Sequence, residues 1–211
     1  MYLNGHITAK NNKEGKTMLI VEVPEISGLS RFAVNGVIPI EIRIDDGRTI
    51  SNEQRKKVYA TIRDISKFTG HMPEFLKEFL KYEFMAETGE KHFSLRDCSV
   101  TTAKDYIDYL IEFAFKFGIA TDESLLSRTE NTSKYLWLCI KYKKCAITNL
   151  DGEVHHVDVI GMGGNRKKVD DSKSKKICLS REYHTEAHTI GWESFKKKYH
   201  VYGIVYDEVK E

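Results

Sequence analysis

Along the chain, apolar and polar positions first alternate at strand period and then recur at helical period. Tyr2-Leu3-Asn4-Gly5-His6-Ile7, Met18-Leu19-Ile20-Val21-Glu22-Val23 and the run from Val37 to Ile44 read as strands, with β-branched residues dominating the last two. Asn11-Asn12-Lys13-Glu14-Gly15 supplies a turn between the first two, and Asp45-Asp46-Gly47 closes what should be a small antiparallel sheet. The helical period begins at Ser51-Asn52-Glu53-Gln54, which has the form of a capping box: Ser51 and Gln54 would satisfy the free amides at a helix start. A helix is predicted from about Asn52 to Phe68, burying Val58, Ile62, Ile65 and Phe68 and leaving Arg55, Lys56 and Arg63 largely outside. Gly70 ends it. Pro73 suits the first turn of a second helix whose face of Phe75, Leu76, Phe79, Leu80 and Phe84 is assigned to the core. Thr102-Ala103-Lys104-Asp105 is read as the cap of a third helix carrying Ile107, Leu110, Ile111, Ala114 and Phe115, stopped at Gly118.

Ala120 to Asn131 is polar and has no sustained period, so a domain boundary is expected there. The predicted organisation is a unit over residues 1–119, a linker over 120–132 and a second unit over 133–211, entered by a short helix from Ser133 to about Tyr142. The fold class is α+β. There is no internal repeat and no low-complexity tract.

Composition narrows the partners. The chain has 211 residues, 41% of them hydrophobic and 11% aromatic, enough to bury a real core. No apolar run approaches the roughly 20 residues that span a bilayer, and Met1 to Lys10 lacks the pattern of a signal peptide. A cytoplasmic location with no membrane partner is expected. Cys98, Cys139, Cys145 and Cys178 form no CxxC pair, and reduced thiols follow.

Net charge is only +2, but it is unevenly placed. From Lys134 to Lys176 there are ten Lys or Arg against five acids; such a run by itself more often reads as a solvated face, and it is the neighbouring histidines that favour a polyanion there. Lys143, Lys144, Arg166, Lys167, Lys168, Lys173, Lys175 and Lys176 are the candidate contacts to a nucleic-acid backbone, and they carry no base information. Within this stretch Gly161-Met162-Gly163-Gly164-Asn165-Arg166 is glycine-rich. It leads into a basic polar tract, not an apolar helix, so it reads as a hairpin turn and not as a nucleotide-binding loop.

The candidate chemistry is histidine. The pair His155-His156 is followed, 28 residues after His156, by His184 and His188 in the run His184-Thr185-Glu186-Ala187-His188. Residues four apart on a helix share a face, so His184 and His188 can point at one ion. Consecutive strand residues face opposite sides, so His155 and His156 should have different jobs. An imidazole not tied to metal titrates near neutrality, which suits His156 as a general base. The implied cofactor is one divalent metal ion (Mg, Mn, Ni or Zn) held by three of the four histidines. Arg181 is a candidate to hold phosphate or else a surface arginine at a helix start, and Glu153 and Glu186 are candidates to orient ligands or else exposed acids. The plainer alternative is a structural zinc site to which Cys145 and Cys178 contribute.

Two resemblances extend this reading. Ile40-Glu41-Ile42-Arg43-Ile44, Arg48-Thr49-Ile50-Ser51 with Gln54-Arg55-Lys56, and Ser99-Val100-Thr101-Thr102-Ala103-Lys104-Asp105-Tyr106 with its helix resemble the phage Orf family of recombination mediators over residues 1–119. That likeness implies an α+β fold, a homodimer, and binding of single-stranded DNA, of the host single-strand-binding protein or of a recombinase. Cys145-Ala146-Ile147-Thr148-Asn149 with Gly152-Glu153-Val154-His155-His156-Val157 resembles the first strand and hairpin of the HNH (ββα-metal) endonucleases. Cys178-Leu179-Ser180-Arg181-Glu182-Tyr183-His184 with His188 resembles their closing helix, and the whole layout resembles phage HNH nucleases. The likeness implies that His155, His184 and His188 bind metal and that His156 activates water.

The family's central Asn has no obvious counterpart in Asp170 to Ile177; Asn165 is the only Asn between the two histidine pairs and stands as the candidate. The function expected is a metal-dependent DNA endonuclease of phage recombination, acting in the host cytoplasm on single-stranded or branched DNA. The alternative is a non-catalytic mediator, binding single-stranded DNA or single-strand-binding protein, with a structural zinc module.

Overall fold

The computed structural model describes residues 5–38, 40, 42, 47–157 and 174–206. An antiparallel hairpin, β1 (His6–Lys13) and β2 (Lys16–Glu22), opens the chain. Its turn is tighter than the expected Asn11–Gly15. Lys13 pairs with Lys16, and Glu14 (φ 53°) and Gly15 (φ 74°) both take the left-handed conformation of a two-residue turn. Asn11, Asn12 and Lys13 are therefore strand residues, because register with Thr17 and Met18 outweighs their turn preference. The third predicted strand is corrected as well: Val34 and Val37 form an isolated bridge, and the described positions 38, 40 and 42 are not strand. Pro39, Glu41, Arg43 and Ile44 lie outside the described residues.

Three helices follow: α1 (Asn52–Thr69), α2 (Pro73–Thr88) and α3 (Val100–Lys116). The capping box at α1 is formed on both sides: Gln54 N–H donates to Ser51 Oγ, and Ser51 N–H to Gln54 Oε1, each at 3.0 Å. Gly70 ends α1 at φ 74°. Val58, Ile62 and Ile65 are buried as expected. Phe68 is not; it is 55% exposed in the last turn of the helix, one residue from its end. On α2, Leu76, Leu80 and Phe84 are buried, whereas Phe75 and Phe79 stack on each other on the surface. The helix has only one covered side, against α1 and α3, so one of its two apolar stripes stays outside. The third helix starts at Val100, earlier than predicted, because Ser99 Oγ takes the capping bond from Thr102 N–H at 2.9 Å. All five of its predicted core residues are buried.

Residues 120–132 carry a buried Leu125 and a buried Arg128 whose Nη1 lies 2.7 Å from Asp64 Oδ2 of α1. Then come α4 (Thr132–Lys141), β3 (Glu153–His156), β4 (Lys175–Leu179), α5 (Arg181–Ile190), α6 (Trp192–Tyr199) and β5 (Ile204–Val205). The three strands make one antiparallel sheet in the order β3-β4-β5. Helix α4 bridges the two parts of the molecule, lying against α3 on one side and against β4 and β5 on the other. A single apolar core runs from Ile50 to Val201. Among the described residues, no helix is long and apolar enough to cross a membrane.

Candidate metal centre

The scaffold for the histidines is the β3–β4 hairpin with α5 laid against it. Cys145 to Asn149, expected as a strand, instead forms a turn, because Lys143 (φ 52°) and Asn149 (φ 62°) bend the backbone left-handed on either side. Asn149 then acts as a buckle. Its Oδ1 accepts from Leu125 N–H at 2.6 Å and its Nδ2 donates to Tyr135 Oη at 2.6 Å, while Tyr135 donates to the Ala146 carbonyl at 2.9 Å. Ala146 N–H donates to the Cys178 carbonyl at 2.9 Å, which ties the turn to β4. Gly152 lets β3 begin close to β4: a Cβ there would sit 2.9 Å from both Cys178 Sγ and the Leu179 carbonyl oxygen.

In β3, Glu153, Val154, His155 and His156 pair with Leu179, Cys178, Ile177 and Lys176 respectively. Strand alternation therefore puts Glu153 and His155 on one face. His155 is 5% exposed beside the buried Ile177, and His156 is exposed beside Lys176. The expected difference between the two histidines is present in their surroundings.

Helix α5 starts after Ser180 and presents His184 and His188 one turn apart. The His155 ring lies 4.7 Å from that of His184 and 4.9 Å from that of His188, centroid to centroid. One nitrogen from each of the three lies within 4.8 Å of the others. Nitrogens about 2.1 Å from a shared tetrahedral ion are about 3.4 Å apart, so small side-chain rotations bring the set to bonding distance. No other group of three His, Cys, Asp or Glu among the described residues can hold an ion. Cys145 and Cys178 are buried free thiols outside that group, so the described residues do not gather the cysteine-containing zinc set.

The electrostatics suit a cation bound by neutral imidazoles. Burial pushes His155 down to about 4, with His184, His188 and His156 adding to the effect, so its ring is neutral at physiological pH. Glu153 Oε1 lies 2.5 Å from His184 Nδ1 and accepts from Arg181 Nη1 at 3.1 Å. The hydrogen bond with His184, then that with Arg181, holds the Glu153 carboxyl below the usual range. With Nδ1 engaged, His184 has Nε2 left for an ion, and its tautomer is set by the carboxylate.

The other expected residues divide. Arg181 is exposed at the mouth of the site, positioned by Glu153. Glu186 does not orient a ligand: it accepts from Lys198 Nζ at 2.6 Å and Tyr199 Oη at 2.8 Å, joining α5 to α6. Lys143 and Lys175 are exposed, Lys176 is half-buried on the His156 side, and Lys144 pairs with Asp151 at 2.7 Å. Asn165, Arg166, Lys167, Lys168 and Lys173, together with the Gly161–Arg166 turn, lie outside the described residues. Trp192, which the sequence reading passed over, has its ring 5.8 Å from that of His155 at the start of α6. The spacing Glu153-x-His155 on a strand is the signal that singles out Glu153, because period two puts both on the face that meets α5.

Two antiparallel strands and a helix that bring three imidazoles to one point constitute a ββα arrangement for a metal ion. A family model confirms the class: the chain belongs to the family described as putative HNHc nuclease, which matches residues 25–210 and so takes in α1 to α3 as well as the histidine module. No curated protein and no solved structure matches the chain.

Proposed function

We propose that the chain is a metal-dependent DNA endonuclease of phage recombination that hydrolyses phosphodiester bonds with His156 as general base and one ion on His155, His184 and His188. The observation that carries the reading is the convergence of one buried strand histidine and two helical histidines, with Glu153 fixing one of them. A divalent ion there would neutralise charge on the scissile phosphate and on the departing 3′ oxygen. An all-imidazole set suits Zn or Ni better than Mg or Mn, which prefer oxygen ligands.

His156, exposed and adjacent to His155, takes a proton from the attacking water as its oxygen bonds to phosphorus and the P–O3′ bond breaks. Arg181, with an exposed guanidinium beside Glu153, holds a non-bridging phosphate oxygen. Lys143, Lys144, Lys175, Lys176 and the basic run from Arg166 to Lys173 hold the flanking backbone. Asn165 is the candidate to steady the base. Residues 1–119 deliver the nuclease to single-stranded or branched DNA, as the Orf likeness implies, with the host single-strand-binding protein or a recombinase as further partners. The apolar side chains that the β1–β2 hairpin exposes, Met18 and Ile20 among them, support a homodimer.

The test is nicking of supercoiled plasmid with Mn, Ni, Mg or Zn, with and without chelator, by wild type and His156→Ala. The variant should keep its metal and lose about 10²- to 10⁴-fold in rate. Equal nicking by the two would remove His156 as the base. No nicking by wild type with any metal would leave the non-catalytic mediator as the function.

A further inference from the structure

We propose that the groove between α1, α2 and the 94–96 loop holds a segment of single-stranded DNA, with Tyr59 as a stacking platform for an unpaired base. This deepens the reading above by giving the DNA-delivering half of the chain a defined surface.

Two adjoining cavities share Arg55 and Tyr59: one of about 520 Å³ between α1, α2 and the 94–96 loop, and one of about 570 Å³ that continues it along the exposed face of α1, past Lys56, Ala60 and Arg63. Both open widely to solvent, as a groove for an extended strand would. Six basic residues line them against a single acid, Glu78, whereas the whole chain carries a net charge of only +2. Glu78 is already engaged, lying 3.2 Å from Lys77 and 3.3 Å from Lys81. Lys56, Arg63 and Arg96 are exposed and form no ion pair with an acid among the described residues. Such a surplus concentrates a polyanion.

The basic residues differ in what they can do. The Arg55 guanidinium is spent on the wall itself: it donates to the Leu95 carbonyl at 2.9 Å, to the Arg96 carbonyl at 3.0 Å and to Asn52 Oδ1 at 3.0 Å. It holds the loop in place. Lys56 and Arg63, two turns apart on α1, flank Ala60, whose small side chain keeps that stretch of the groove open. They present charge at a spacing of about 10 Å along the helix, which two phosphates of an extended strand can meet.

Tyr59 lies between them and is 41% exposed. An aromatic face among backbone-binding cations is the arrangement by which proteins hold unpaired strands, since every base offers a face to stack. A duplex keeps those faces in its own stack and offers Tyr59 none of them. The occupant is therefore a single strand.

The test uses the full chain in chelator, so that cutting plays no part, and fluorescence anisotropy with a labelled oligothymidylate and a duplex of equal length. Wild type should bind the single strand more tightly than the duplex, with affinity falling as salt rises. Lys56→Ala/Arg63→Ala should lose about ten-fold or more at low salt and lower the log–log salt slope by about 1.4, the loss of two phosphate contacts. Tyr59→Ala should lose about ten-fold with the slope unchanged, and Tyr59→Trp should restore binding. All three side chains are exposed, and circular dichroism would confirm that the variants fold. Wild-type binding that these substitutions leave unchanged overturns the groove but not the reading that the chain binds single strands. No binding by wild type overturns both. Displacement of the oligonucleotide by a Glu-rich peptide that binds more tightly would overturn the assignment in favour of an acidic protein partner.

Discussion

Removing the Glu153 carboxylate tests the proposed metal centre more sharply than removing a histidine, because Glu153 lies outside the three-histidine group. It acts through His184, which it meets at 2.5 Å, and shares its Oε1 with Arg181 at 3.1 Å. A carboxylate that fixes the tautomer and angle of a ligating histidine typically contributes 10- to 100-fold in metal affinity. The Glu153 side chain is 45% exposed, so water competes for the same bond and the lower end applies. Glu153→Ala should therefore weaken binding of Zn or Co by about ten-fold. Glu153→Gln keeps an oxygen acceptor but not the charge, and since charge-assisted bonds are about twice as strong as neutral ones it should fall between.

The assay is competition against a chromophoric chelator, read alongside two controls. His184→Ala should abolish the competition. Arg181→Ala should leave affinity unchanged or slightly raised, because Glu153 then serves His184 alone, while DNA cleavage falls. If Glu153→Ala binds metal within about two-fold of wild type, the carboxylate is not orienting a ligand, and the short contact reflects only an exposed ion pair.

Three further outcomes follow from other parts of the molecule. His184→Ala should cancel the rise in melting temperature that excess Zn gives wild type, a stabilisation of about 2.7 kcal/mol at 100 times Kd, without altering the helical signal of α1 to α3. Arg128→Met should cost about 3–5 kcal/mol in urea unfolding by leaving Asp64 charged and buried, and adding Asp64→Leu should recover most of it. Burial raises Asp108 to about 6 from an ordinary 3.8, so the folded state holds a proton that the unfolded state has lost between those values. Wild type should thus lose stability relative to Asp108→Asn as pH rises from 4 to 6 and stay lower above it, by at most about 3 kcal/mol; parallel stability curves from pH 4 to 8 would refute this.

What could be read from the sequence was local, and what could not was set by partners far along the chain. The Ser51–Gln54 capping box spans four residues and is formed as expected, as is the turn-to-turn spacing that joins His184 to His188. Phe68, Phe75 and Phe79 were assigned to the core because helical periodicity marks apolar stripes without saying which one a neighbour covers. The Arg128–Asp64 pair was invisible for a related reason: 64 positions separate its members, and a polar run around Arg128 looks the same in a linker as in a docked segment. Asn149 misled in a different way, since its left-handed backbone converts a run of strand-like residues into a turn.

The metal centre lies between these extremes. Its three histidines come from two segments, and each segment obeys its own period: two on β3, giving Glu153 and His155 one face, and about four on α5, giving His184 and His188 another. Neither period brings the two faces together. That is done by the pairing of His155 with Ile177, which sets where β3 stands relative to the strand that feeds directly into α5. A slip of one residue in that register would turn His156 inward and His155 outward, exchanging the proposed ligand for the proposed base. The doubled histidine is thus chemically ambiguous as a sequence and becomes specific only through the strand pairing. The close fit of Gly152 against Cys178 and Leu179 guards that pairing, so Gly152→Ala is the substitution outside the histidines that should most disturb the assignment of His155 and His156.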